Sequence, residues 1–120
     1  HAKDYVEAMW KILQQKNPDD FVIATGKQYS IRTFVNLVSK KLNIKLKWIG
    51  KGLKEKAIDI NTKKIIIEVD KLYFRPLDVN TLLGKASKAR DKLKWKPKID
   101  LKSLIDEMVE EEEKIINDNQ

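Results

Sequence analysis

Tyr73-Phe74-Arg75-Pro76-Leu77-Asp78-Val79 is the stretch of this 120-residue chain whose residue types could do chemistry together. Pro76 fixes its own φ and biases Arg75 toward an extended backbone, so the guanidinium is presented from a stiff support. A planar fork of N–H donors held that way suits bidentate recognition of a phosphate. Asp78 follows Arg75 by three residues and can accept hydrogen bonds from hydroxyls of the same ligand. From these seven residues alone, a strand end closed by an Arg–Asp surface pair is the competing reading.

Other chemistries lack their residues. The single histidine, His1, stands at the first position, and there is no cysteine, so neither a metal cluster nor a histidine-based triad can be built. No glycine-rich dinucleotide fingerprint occurs; Gly26 is isolated. Tyr5, Tyr29 and Tyr73 are followed four residues later by Met9, Thr33 and Leu77, so no Tyr-x-x-x-Lys pair can serve as a base. Asp19-Asp20, and Asp70 with Asp78, read as caps and surface groups rather than a paired-carboxylate site. The residues support binding better than catalysis, and no catalytic or metal-binding residue is assigned.

Composition sets the frame. At 42% hydrophobic and 36% charged, the chain is that of a globular protein with a modest core, one domain or a piece of one. The absence of cysteine fits a reducing compartment, and the expected location is the cytoplasm. No apolar run is long enough to span a membrane, and the first residues have no signal-peptide character. The charge of +7 invites a polyanion partner, and Lys40, Lys41, Lys45, Lys47, Lys51, Lys54 and Lys56 crowd one stretch. Lysines without interleaved aromatics argue against a nucleic-acid reader, so that module is kept only as the alternative.

The elements that must hold the arginine read as alternating helices and short strands, an α/β assembly of α+β character with about four helices. Val6, Met9, Trp10 and Leu13 share one face of a helix over residues 2–16 and read as core. Phe21-Val22-Ile23-Ala24 is a short apolar run, the pattern of a strand buried on both faces in a parallel sheet. Ser30 caps a second helix with Ile31, Phe34, Val35, Val38 and Leu42 as its stripe. Arg32 lies off that stripe, either solvated or in contact with an anion or a neighbouring subunit. Ile44, Leu46 and Trp48 alternate with lysines as a half-buried strand. Residues 51–64 read as the longest loop, with a turn at Asn61-Thr62-Lys63. Ile65–Val69 is a second strand. A short helix capped near Ser87 buries Ala89 and Leu93. Asp100 caps the last, with Leu101, Leu104, Ile105, Met108 and Val109 inward.

Several of these stretches together resemble the carboxyl-terminal part of GDP-mannose 4,6-dehydratases, extended members of the short-chain dehydrogenase/reductase family. They are His1-Ala2-Lys3-Asp4-Tyr5-Val6, Phe21-Val22-Ile23-Ala24-Thr25-Gly26, Tyr29-Ser30-Ile31-Arg32, the arginine motif, Leu83-Gly84, Ala86-Ser87-Lys88-Ala89 and Leu93-Lys94-Trp95-Lys96-Pro97. The resemblance implies a substrate-binding lobe of a Rossmann-type enzyme. Such enzymes convert GDP-mannose to GDP-4-keto-6-deoxy-mannose with NADP, on the way to GDP-fucose. It implies that the dinucleotide-binding half and the catalytic Thr, Glu, Tyr and Lys lie upstream of His1, leaving this chain catalytically incomplete and without a cofactor of its own. Expected partners are GDP-mannose, that missing half and a second copy of the chain. Arg75 matches the arginine expected at the diphosphate. Asp78 stands where the family usually has Glu, expected at the ribose or guanine end. Leu77 replaces a frequent Thr, and Asn80 a frequent Asp.

Overall fold

Side-chain caps start three of the four helices of the computed structural model, which describes residues 1–79 and 81–119. His1 Nδ1 accepts from the Lys3 backbone N–H at the head of α1 (Ala2–Leu13). Ser30 Oγ accepts from Thr33 N at 3.0 Å to open α2 (Ile31–Lys41). Asp100 Oδ1 accepts from Ser103 N at 2.8 Å to open α4 (Leu101–Asp118). Each cap satisfies a backbone donor that the first turn leaves without a helical partner. The short α3 (Ser87–Leu93) ends at Lys94, whose φ of 52° is the left-handed stop usually given to glycine.

The strands β1 (Leu46–Ile49), β2 (Lys56–Asp59) and β3 (Ile65–Glu68) form one antiparallel sheet in the order β1-β2-β3. Trp48 pairs with Ala57 and Leu46 with Asp59, and Ala57 and Asp59 are buried. Asp59 is satisfied by Asn61 N at 2.9 Å and Thr62 Oγ1 at 2.7 Å, so its carboxylate shapes the turn into β3. These bonds hold the Asp59 carboxyl below its usual range, the Thr62 hydroxyl most of all.

The chain divides into two compact units, one of residues 1–29 and 81–120 and the other of residues 30–80. The first unit has its core in Ala8, Ala86, Ala89, Leu93 and Trp95, with Ile12, Phe21, Ile23 and Ala24 packed against it. Trp95 is 1% exposed, and its Nε1 donates to the Asp4 carbonyl at 2.9 Å. The buried Asp4 carboxylate accepts from Lys98 N at 3.1 Å and Ile99 N at 3.0 Å. The second unit sets α2 beside the sheet: Trp48 Nε1 donates to Asn36 Oδ1 at 2.8 Å.

Four expectations are corrected. Val6, Met9, Trp10 and Leu13 do not form the core face of α1; they are 61–80% exposed. Asp4 and Ala8 turn inward instead, because Asp4 must reach Lys98 and Ile99 and Ala8 belongs to the unit's core. Phe21–Ala24 joins no ladder among the described residues. Its side chains pack on the core of the first unit, and the sheet the chain does have is antiparallel. Residues 51–64 are not one loop, since β2 runs through them as the central strand. Met108 on α4 is 49% exposed while Ile105 and Val109 bury.

Candidate functional site

Arg75 and Asp78 both sit in the second unit, in the segment that leaves β3. Two turns build that segment. Asp70 Oδ1 accepts from Leu72 N at 2.8 Å, and the Asp70 and Lys71 carbonyls accept from Tyr73 N and Phe74 N. This is the side-chain-assisted turn that Asp favours. Then the Arg75 carbonyl accepts from Asp78 N at 3.3 Å, closing a four-residue turn with Pro76 at its second position. Proline there pre-sets the φ the turn requires, and such a turn brings its end Cα atoms within about 7 Å. The structure therefore brings the two sequence-predicted residues together, at the first and last positions of one turn.

Their side chains are exposed, and among the described residues neither makes a hydrogen bond or ion pair, with each other or with anything else. The surrounding apolar residues are open as well: Leu72 is 79% exposed, Tyr73 76% and Leu77 94%. A guanidinium fork and a carboxylate, both unengaged and held on one proline turn, can take a diphosphate and a hydroxyl of one ligand. Asn80, the other departure noted in this motif, lies outside the described residues.

Arg32 has a different fate. Its Nε donates to Glu55 Oε1 at 3.0 Å, Nη2 pairs with the same oxygen, and the guanidinium lies 5.1 Å from the centre of the Trp48 ring. The Glu55 carbonyl accepts from Val69 N at 3.4 Å, where β3 gives way to the arginine segment. Arg32 thus ties the first turn of α2 to the sheet, an engagement that its position off the apolar stripe did not reveal. Spacing could not disclose it, because Glu55 reaches Arg32 only through the turn between β1 and β2.

A separate cleft of about 310 Å³ lies in the first unit, walled by Pro97, Leu101 and Leu104 with Thr25, Lys27 and Tyr29. Asp100 also lines it, but its carboxylate is committed to Ser103. Arg75 is not part of that cleft.

Comparison with known proteins identifies the family of the chain. Residues 1–108 match the model of the GDP-mannose 4,6 dehydratase family. The chain belongs to that family. It is 49% identical over 119 aligned positions to a GDP-mannose 4,6-dehydratase of Vibrio cholerae serotype O1, covering 91% of this chain and 32% of the relative. GDP-mannose 4,6 dehydratase 2 of Caenorhabditis elegans is 51% identical, covering 91% and 28%. The enzyme of Cricetulus griseus is 44% identical, covering 99% and 32%. The chain thus spans about a third of the length of the relatives it matches. No described helix is long and apolar enough to cross a membrane.

Proposed function

We propose that this chain is the substrate-binding lobe of a GDP-mannose 4,6-dehydratase, a lyase that turns GDP-mannose into GDP-4-keto-6-deoxy-mannose and water. In this reading the lobe is the carboxyl-terminal part of a cytoplasmic, extended short-chain dehydrogenase/reductase. The observation that carries it is the unengaged Arg75, held by the Pro76 turn beside Asp78 in a member of this family. Arg75 donates its fork to the diphosphate, where planar N–H pairs match two oxygens. Asp78, ionised, is acceptor-only, so it takes the ribose hydroxyls or guanine N–H groups and not the phosphates. One residue fixes charge and the other orientation.

The parent reaction calls for NADP as hydride carrier. The chain's glycines, Gly26, Gly50, Gly52 and Gly84, do not have the spacing of a dinucleotide-binding turn, and no Tyr-x-x-x-Lys pair is present. These residues do not fit that cofactor, and in this reading it belongs to the Rossmann part of the enzyme. The exposed Val6, Met9, Trp10 and Leu13 stripe supports such a neighbour, because an apolar helix face this large rarely stays open to water. A second copy of the chain is the other partner that stripe could take.

A hybrid enzyme tests the assignment. The matched segment of the Vibrio cholerae relative is replaced by this chain, and formation of the 4-keto product from GDP-mannose is followed. Turnover is expected for the hybrid and none for the chain alone. Arg75→Ala in the hybrid should lower kcat/KM by tenfold or more, since a charge-assisted hydrogen bond is worth about 1.5–3 kcal/mol. An unchanged kcat/KM removes Arg75 from the diphosphate site.

A further inference from the structure

The charge of the chain is divided unevenly between its two units. Residues 30–80 hold 12 Lys and Arg against 5 Asp and Glu, whereas the other unit holds 13 of each. The whole surplus of +7 thus belongs to the unit that carries Arg75. That surplus already counts all five carboxylates, and four of them are engaged locally. Glu55 is taken by Arg32, Glu68 by Lys56 at 3.1 Å, Asp59 by its own turn and Asp70 by Leu72 N. Lys45, Lys47, Lys51, Lys54 and Lys71 are exposed and, like Arg75, have no described partner.

We infer that this unpaired lysine surface captures the nucleotide diphosphate electrostatically and delivers it to Arg75, raising the association rate without touching the bound ligand. The inference rests on the reading of Arg75 as a diphosphate contact. A small dianion fits the surface better than a nucleic acid does. Trp48, the aromatic among these lysines, has its Nε1 bonded to Asn36 and Arg32 over its ring, so it is already engaged where a base would compete to stack. A net-charged unit concentrates opposite charge over a distance set by salt. For a dianion about 15 Å from a +7 unit, Coulomb attraction with screening weakens its enrichment about tenfold between about 20 mM and 150 mM salt.

The test is stopped-flow binding of GDP, pyrophosphate, neutral guanosine and a single-stranded oligonucleotide at those two salt concentrations and about pH 5.5, below the second phosphate pKa of about 6, where GDP and pyrophosphate carry mainly two charges. The wild-type chain is compared with the triple variant Lys47→Gln, Lys51→Gln, Lys54→Gln, which cuts the surplus to +4. The expected result is a salt effect of about tenfold on the GDP association rate in the wild type and about fourfold in the variant. Dissociation rates should be unchanged and guanosine insensitive to salt. An association rate indifferent to salt overturns the inference, and so does a variant that changes only dissociation, since its lysines would then be direct contacts. Pyrophosphate capture without GDP binding upholds the surface and removes the nucleotide reading, while failure of both anions overturns both. An oligonucleotide bound more tightly than GDP assigns the surface to nucleic acid and overturns the proposal.

Discussion

Removing the Asp4 carboxylate should cost the first unit more stability than any other single change in its polar groups. Asp4 is 4% exposed, and its two oxygens accept from Lys98 N and Ile99 N at 3.0–3.1 Å. In Asp4→Ala both backbone donors lose their partner where water reaches them poorly. Each stranded donor costs about 1–3 kcal/mol, and partial burial of this pair favours the lower half of that range, or about 2–4 kcal/mol together. With an unfolding entropy near 2.1 cal/mol/K per residue, this lowers Tm by about 8–16 °C. Asp4→Asn keeps one acceptor oxygen and should lose about half as much. The assay is thermal unfolding followed by circular dichroism, with the fluorescence of buried Trp95 as a local reporter, because its Nε1 donates to the Asp4 carbonyl. A Tm within about 3 °C of wild type for Asp4→Ala would refute the idea that this carboxylate fastens α1 to residues 98 and 99.

Two further outcomes follow from the same unit. A Cβ on Gly84 would meet the Ala24 Cβ at 2.6 Å, so Gly84→Ala should destabilise by about 1–3 kcal/mol, and Ala24→Gly in the same chain should recover most of it in denaturant titrations. Asp19 lies far below its ordinary 3.8, chiefly through hydrogen bonds from Lys88 and then Lys92. A depressed carboxyl stabilises the fold above its unfolded value and loses that contribution as pH falls through the acid range. Asp19→Asn should therefore flatten the decline of Tm below about pH 4 and leave the slope near neutrality unchanged; an unaltered acid limb would count against this clamp.

Much of this was readable from residue order, for definite reasons. Ser30 and Asp100 are caps by side-chain chemistry, and the β1 alternation of Leu46 and Trp48 with lysines reports one covered face. Pro76 announced a stiff backbone at Arg75, but the turn it makes to Asp78 is seen only in the structure. What escaped depended on partners distant in sequence. β2 presents Ala57 and Asp59 inward, and an inward aspartate reads as loop until Asn61 and Thr62 are seen to satisfy it. The α1 stripe shows that periodicity tells which face is apolar and not whether its cover lies in the same chain. Phe21–Ala24 has the composition of a buried strand, but a strand also needs a ladder neighbour, and its place here is set by packing on Trp95 and the alanines around it.

The most direct measurement is the affinity of the chain for GDP against guanosine by isothermal titration, repeated with Arg75→Ala and Asp78→Ala. If the proline turn is the GDP clamp, GDP binds at least tenfold more tightly than guanosine, and Arg75→Ala erases that difference while weakening guanosine little. Asp78→Ala then weakens both ligands alike. Equal affinities for GDP and guanosine in the wild type, or a preference for GDP that survives Arg75→Ala, would contradict the assignment of this turn to the diphosphate.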